Sequence, residues 1–316
     1  MKNFLFTAFI VSVSFCFSQS KKDSLYLQLE TQIDDTVKVD ALVELASILS
    51  STGSSDSAEV LLKSARELAN NYEVPKKKAL ISIRLGNIYL SKGDFTSSES
   101  EFKNAILILK NAETLKNLDV AHKNLAIVYA YQGVFDKAIF NFSKGIELAS
   151  ILKDTSAMAS GYNSIGLVYL QTNNYPKALS YFHKSLILYE IDGTDSDKSY
   201  LYNNLGKIYL ELEKHDKGVY YFRKNLEIAE GDSANSNLGM ALQNLSIAYG
   251  NTGDYIRAYR LAKRALAVRK SFTDELDRYS NDLASTLNNI GDIYLNIYNK
   301  KLDSVIEILG VKQFKA

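Results

Sequence analysis

Carboxamides are the side chains of this sequence best placed to do chemistry as a set. Asn124, Asn163, Asn203, Asn204, Asn244, Asn288 and Asn289, with Gln243 and Asn251 nearby, form an asparagine-rich track through the chain. An amide presents both a donor and an acceptor, so a ladder of them can pair with the backbone of an extended peptide whatever its sequence. Apolar neighbours such as Tyr131, Tyr200, Ile127, Leu167, Leu170, Met240 and Ile247 would then receive the side chains of that peptide. The other reading is that these asparagines bond to an adjacent structural unit and serve the fold.

Other chemistries find less support. His122, His183 and His215 have no second histidine or cysteine at metal-ligand spacing. The carboxylates are scattered, with no H-E-x-x-H pair, phosphate-cradling glycine loop or nucleophile elbow. An enzyme is therefore not expected, and neither is a cofactor or metal. Arg257, Arg260, Lys263, Arg264, Arg269 and Lys270 make a basic run that would suit anionic lipid or nucleic acid. Asp274, Glu275 and Asp277 offset it, and a solvated outer helix face is expected instead. The net charge of +1 gives no field that would gather nucleic acid.

What must position the amides is a repeat. Tyr89, Tyr129, Tyr169, Tyr209 and Tyr249 stand forty residues apart, each three positions after a small residue: Gly86, Ala126, Gly166, Gly206 and Ser246. With 21 tyrosines in 316 residues, four such coincidences by chance have a probability of roughly 2 in 100,000. Phe102, Phe142, Phe182 and Phe222 keep the same interval thirteen residues later. Leu201, Tyr202, Leu205, Ile208, Tyr209 and Leu212 show the spacing of an amphipathic helix. Lys214-His215-Asp216 interrupts it, and Val219, Phe222, Leu226 and Ile228 resume as a second helix. Turns at Gly93-Asp94, Gly133-Val134, Asn173-Asn174 and Gly253-Asp254 separate the same two helices elsewhere, where a residue tolerant of positive φ is needed. Gly166 and Gly206 fall in mid-helix, at a cost of about 1 kcal/mol relative to alanine, which close approach of the second helix would offset. The tyrosines are expected to be buried pegs between the paired helices.

These residues resemble the tetratricopeptide repeat. Residues 119–148 carry its pattern as Ala126, Tyr129, Gly133, Phe135, Ala138 and Phe142. Residues 159–188 carry it as Gly166, Tyr169, Tyr175, Ala178 and Phe182, and residues 239–268 as Gly253, Tyr255, Ala258 and Ala265. The resemblance implies an all-α fold, a right-handed α-solenoid of antiparallel helix hairpins. The period is 40 rather than the family's 34, so the second helix or its connection is expected to be lengthened by six residues. Leu49 and Ser55 replace the two aromatics in a degenerate first unit. Six units and an incomplete seventh are expected within 39–316, the seventh beginning at Leu287 and Tyr294 with a second helix near Asp303 to Leu309. In this family the first helices line the concave face, which is where the resemblance puts the asparagine track. Long-period members such as kinesin light chain bind cargo peptides in a similar way.

Ahead of the repeats, Met1-Lys2-Asn3 and the uncharged apolar run Phe4–Phe17 have the pattern of a signal peptide, 1–18, with cleavage expected after Ser18. Cys16 is the sole cysteine, so the mature chain would hold none and form no disulfide. Residues 19–38 form an N-terminal segment in which 23–33 would be a helix covering the open end of the solenoid. The whole is similar to exported tetratricopeptide input regions of Bacteroidetes-type sensor kinases and regulators, without their membrane helix and output module. The resemblance implies a periplasmic or secreted scaffold that binds a protein or peptide partner in its groove, with no nucleic acid and no membrane insertion after signal removal. The alternative is a stand-alone or truncated sensory input region that acts through a membrane-bound signalling partner.

Overall fold

Apolar side chains recurring every three or four residues fold into helices throughout the computed structural model, which describes residues 21–31, 34–231, 237–270 and 280–299. Helix α1 covers 21–31. Six hairpins follow: α2 (Asp35–Ser51) with α3 (Ser55–Asn70), α4 (Pro75–Ser91) with α5 (Phe95–Asn111), and α6 (Leu118–Tyr131) with α7 (Phe135–Ile151). The others are α8 (Thr155–Gln171) with α9 (Tyr175–Asp192), α10 (Asp195–Glu211) with α11 (His215–Gly231), and α12 (Leu238–Asn251) with α13 (Tyr255–Lys270). Helix α14 (Ser280–Asn299) comes last. No strand occurs among the described residues, and the fold is an all-α repeat. The chain divides into two compact units, Met1–Gly161 and Tyr162–Ala316, with the division inside α8.

The turn inside each hairpin is one motif repeated six times. Its middle residue has positive φ: +85° at Gly53, +76° at Gly93, +74° at Gly133, +55° at Asn173, +55° at Glu213 and +81° at Gly253. The next backbone N–H donates to the carbonyl five residues back, as Asp94 to Tyr89, Val134 to Tyr129 and Asp254 to Tyr249. This closes the orphan carbonyls at the end of the first helix. Leu49 keeps the same bond from Ser54 in the degenerate first hairpin, because the interaction belongs to the backbone. Asp94, Asn174 and Asp254 then cap the second helix, each side chain accepting the backbone N–H three residues on.

Pairs sixteen residues apart set the distance between the two helices. A Cβ on Gly86, Gly166 or Gly206 would come within 2.7, 2.5 or 2.7 Å of the ring of Phe102, Phe182 or Phe222. All three rings are buried. The close approach expected at these glycines is thus made by the phenylalanine. Where the small residue is larger, at Ser246, the position opposite is Ala262, and the Ser246 hydroxyl donates to the Ala258 carbonyl.

The tyrosines do more than fill the hairpin. Tyr129, Tyr209 and Tyr249 are buried, while Tyr89 and Tyr169 are half-buried. A cation from the start of the second helix lies over the ring: Lys137 over Tyr129, Lys177 over Tyr169, Lys217 over Tyr209 and Arg257 over Tyr249, 4.6–5.3 Å from the centroid. Hydroxyls reach back to the preceding hairpin, Tyr89 donating to Glu59 at 3.1 Å and Tyr129 to Glu99 at 2.9 Å. Tyr294 of α14 donates to Tyr259 of α13 at 2.7 Å.

The six residues beyond a 34-residue unit include the turn between hairpins and the first turn of the helix that follows it. Lys153 and Asp154 make the turn and Thr155–Met158 the first turn of α8; Gly193 and Thr194 make the turn and Asp195–Lys198 the first turn of α10. The second helices run to 16–18 residues, and the connection carries groups that start α10. Thr194 and Asp197 form a reciprocal capping box there. At the other end, Leu25 of α1 is buried against Ala41 and Leu45 of α2. The expected second helix near Asp303 to Leu309 and the leader 1–18 lie outside the described residues.

Two outcomes follow from these contacts. Gly206→Ala is expected to lower the urea midpoint by the equivalent of about 1–2 kcal/mol despite its better helix propensity, because α10 and α11 must part by a methyl radius. Adding Phe222→Leu should recover part of that loss, and additive losses would refute the contact. Glu59, bonded by Lys63, Lys92 and Tyr89, has its carboxyl lowered from the ordinary 4.5 to about 2. A depressed carboxyl stabilises the fold above its unfolded pKa, and that contribution fades as pH falls from about 4.5 through about 2. Glu59→Gln should therefore lower the thermal midpoint at pH 7, by the equivalent of roughly 1–3 kcal/mol, and the gap from the parent should close between pH 5 and pH 2.

Candidate functional site

The first helices of the second unit carry a groove built from two adjoining cavities. One, of about 530 Å³, lies among α8, α10 and α12 and is lined by Leu170, Asn173, Tyr175, Lys207, Glu211, Asn244 and Ile247. The other, of about 770 Å³, lies between α12 and α14 and is lined by Gln243, Ile247, Asn251, Ser285, Asn288, Asn289, Asp292, Leu295 and Asn296. Ile247 borders both, so the two are neighbours along α12. Helical spacing places these residues: Asn244, Ile247 and Asn251 succeed one another at three and four residues, as do Asn288, Asp292 and Asn296 at four. The outcome is a lining of amides and aliphatic groups, with an ammonium in one cavity and a carboxylate in each.

The predicted residues take several places. Asn244 Nδ2 donates to Asn203 Oδ1 at 2.7 Å, and Asn289 Nδ2 donates to Ser246 Oγ at 3.1 Å. Asn204 is half-buried on α10, and Asn288 is exposed in the wider cavity. Asn163 lies on α8 with its Oδ1 buried and without a hydrogen-bond partner. Tyr200 is 59% exposed on α10. Asn124 and Tyr131 belong to the first unit. There Asn124, 9% exposed, donates to Asn87 Oδ1 at 2.9 Å. Tyr131, 69% exposed, stacks on Phe95 with the ring centroids 5.8 Å apart. Asn124, Asn244 and Asn289 thus bond to the preceding hairpin, and Asn244, Asn288 and Asn289 also line the cavities. Each such bond uses one of two amide hydrogens and one acceptor lone pair, so the two readings of the asparagines do not exclude each other.

Sequence reasoning passed over Asn173, Lys207, Glu211, Asp292 and Asn296. Lys207 stands forty residues after Leu167 and forty before Ile247, so the same phase that singled out those two marks it. It was missed because the search followed amides and apolar groups.

The basic run needs one correction. Arg257, Arg260, Lys263, Arg264 and Lys270 are exposed, but Arg269 is 7% exposed among α12, α13 and α14. Its guanidinium donates to Gln243 Oε1 and Thr286 Oγ1. The position is a core position in every preceding hairpin, at Ala69, Leu109, Ala149, Tyr189 and Ala229, and Gly239 leaves room beside the arginine stem. Histidines are likewise part of the frame. His122 Nδ1 lies 2.9 Å from Asn141 Oδ1, and burial pushes its pKa down. His183 Nε2 lies 3.4 Å from the Tyr209 hydroxyl, with burial and Lys217 both pushing its pKa down. His215 begins α11. Among the described residues no cluster of three metal-ligating side chains occurs, and no helix is long and apolar enough to cross a membrane.

Comparison with known proteins agrees with this architecture. The family model described as tetratricopeptide repeat matches residues 154–230 and again 197–271. A search of curated proteins gave no sequence match. Among solved structures, the apo form of the quorum sensor NprR from B. thuringiensis is similar with a TM-score of 0.66 at 14% identity, over 84% of this chain and 73% of that one. A signal transduction ATPase with a tetratricopeptide repeat sensor, PH0952 from Pyrococcus horikoshii, gives 0.66 at 19% identity; the match covers 95% of this chain but only 47% of that one. A Rap protein complexed with Competence and Sporulation Factor gives 0.59 at 15% identity, over 90% and 80%. At these identities the likeness is one of fold.

Proposed function

We propose that the chain is a non-catalytic scaffold of the tetratricopeptide type that holds an extended polypeptide in the groove of α8, α10, α12 and α14. The observation that carries this reading is that two cavities with amides in their lining meet at one aliphatic side chain, Ile247. Amides offer a strand backbone both donors and acceptors, and the aliphatic floor offers its side chains an apolar surface. Amides supply neither nucleophile nor general base at neutral pH, and the two carboxylates of the lining, Glu211 and Asp292, are exposed and lie in different cavities. The similar Rap protein, seen with Competence and Sporulation Factor bound, supports a binding role.

The reading places the protein outside the cytoplasm, in the periplasm or secreted, on the strength of the charge and hydropathy pattern of residues 1–18. Intact-mass measurement on protein from its native host should find an amino terminus at Gln19; a mature chain that keeps Met1 would remove the export reading. A second reading, a sensory input region that acts through a membrane-bound partner, is favoured by likeness to the ATPase with a tetratricopeptide repeat sensor and to the quorum sensor.

Ile247→Arg tests the groove itself. Crosslinking mass spectrometry with the exported fraction should recover polypeptides bridged to α10, α12 and α14 by the parent, and at least tenfold less by the variant. Circular dichroism should be unchanged, since Ile247 is half-buried on a groove wall rather than in the core. Undiminished capture at those helices would discard the groove.

A further inference from the structure

Two pairs of asparagines occupy the same two positions of successive repeats and behave differently. Asn203 on α10 and Asn244 on α12 are joined, Nδ2 of Asn244 donating to Oδ1 of Asn203 at 2.7 Å. Forty residues earlier the pair is Asn163 on α8 and Asn204 on α10. Here the rung is open, for Asn163 Oδ1 is buried and has no hydrogen-bond partner. A buried amide oxygen without a donor raises the free energy of the state that contains it. The donor that would relieve it, by the precedent one repeat later, is Asn204.

The open rung adjoins the groove. Asn163, Leu167 and Leu170 follow at four and three residues along one face of α8; Asn204, Lys207 and Glu211 follow at three and four along one face of α10. Leu170, Lys207 and Glu211 line the narrower cavity, so a polypeptide lying there contacts both helices whose rung is open.

We propose that Asn163 and Asn204 form a rung that closes when the groove is filled. An extended polypeptide spanning Leu170 and Lys207 draws α10 onto α8, and Asn204 Nδ2 then donates to Asn163 Oδ1 as Asn244 does to Asn203. This rests on the groove reading above. A ligand shifts a conformational equilibrium only through a difference in its own interaction with the two states. Simultaneous contact with Leu170 of α8 and Lys207 of α10 supplies that difference, and the satisfied oxygen lowers the free energy of the closed state the ligand selects. The Asn203–Asn244 rung, already closed, contributes to the stability of the free chain and not to the coupling.

The probe is a dodecapeptide selected on the folded full-length chain from a random phage-displayed library, its affinity read by isothermal titration. Asn163→Leu removes the orphan acceptor while keeping the branching and number of side-chain heavy atoms, so it should raise the thermal midpoint of the free protein while weakening the peptide five- to fiftyfold. Asn204→Leu should weaken it similarly, and the double variant no further than either single one. Losses that multiply in the double variant would mean two separate ligand contacts and overturn the proposal. So would wild-type affinity in both single variants. Should Asn163→Leu not fold, Asn163→Ala gives the same cycle of affinities. A peptide lost with Ile247→Arg but indifferent to Asn163→Leu overturns the rung alone. If no library peptide loses affinity with Ile247→Arg, the groove reading fails and the rung with it.

Discussion

One tyrosine in each of five hairpins, Tyr89 to Tyr249, ties together the turn, the second helix and, at Tyr89 and Tyr129, the preceding hairpin. Its carbonyl closes the turn between the two helices, its ring carries a cation from the second helix, and in several repeats its hydroxyl holds the hairpin before. Those attachments fix the rotation of the first helix about its own axis. Once that rotation is fixed, positions two and five residues before the tyrosine have no choice of face. Asn244 and Ile247 must look into the groove because Tyr249 looks away from it. A glycine or alanine three residues earlier sets the depth of the helix against its partner, and the phenylalanine opposite sets how far it can sink. Such cation–ring contacts contribute about 0.5–1 kcal/mol each at exposed sites, so the arrangement gains from repetition rather than from any single strong bond.

The repeat also explains where the polar energy goes. Buried or half-buried amides and hydroxyls in this chain pair across hairpins: Asn124 with Asn87, Asn244 with Asn203, Tyr129 with Glu99. In a fold whose units touch only their neighbours, such bonds hold adjacent first helices in register. On α12 the bond still leaves Asn244, half-buried at the cavity edge, with hydrogen-bonding capacity to spare. A surface built to hold the fold is thereby suited to hold a strand. The two roles draw on different donors and acceptors of the same groups.

Much of this was legible in the sequence, because periodicity reports backbone phase directly. The six hairpins, the positive-φ turns and the place of the glycines in mid-helix all follow from forty-residue intervals. Glu213 escaped notice as a turn residue because its side chain gives no sign of positive φ; only its distance from Gly253 does. Arg269 was assigned to the outside by its charge, although its phase is that of Ala149 and Ala229, which are buried. In both cases residue type pointed one way and phase another, and phase was right. Charge and propensity express what a side chain prefers in isolation, whereas phase records what the neighbouring repeats impose.

What periodicity cannot express is the difference between repeats that share a phase. Asn163–Asn204 and Asn203–Asn244 are identical in sequence terms, yet one pair is bonded and the other leaves an oxygen without a partner. The difference must come from what flanks each pair along the helices. Leu167 and Lys207, which follow Asn163 and Asn204 in the same phase, differ in size, charge and hydration, as do Lys207 and Ile247 beside the closed pair. A repeat chain can thus hold its architecture constant through the tyrosine and glycine–phenylalanine positions while the groove positions between them vary freely. The same phase reads Asn87, Ile127, Leu167, Lys207 and Ile247 along the chain, so it is at such positions that one repeat differs from the next.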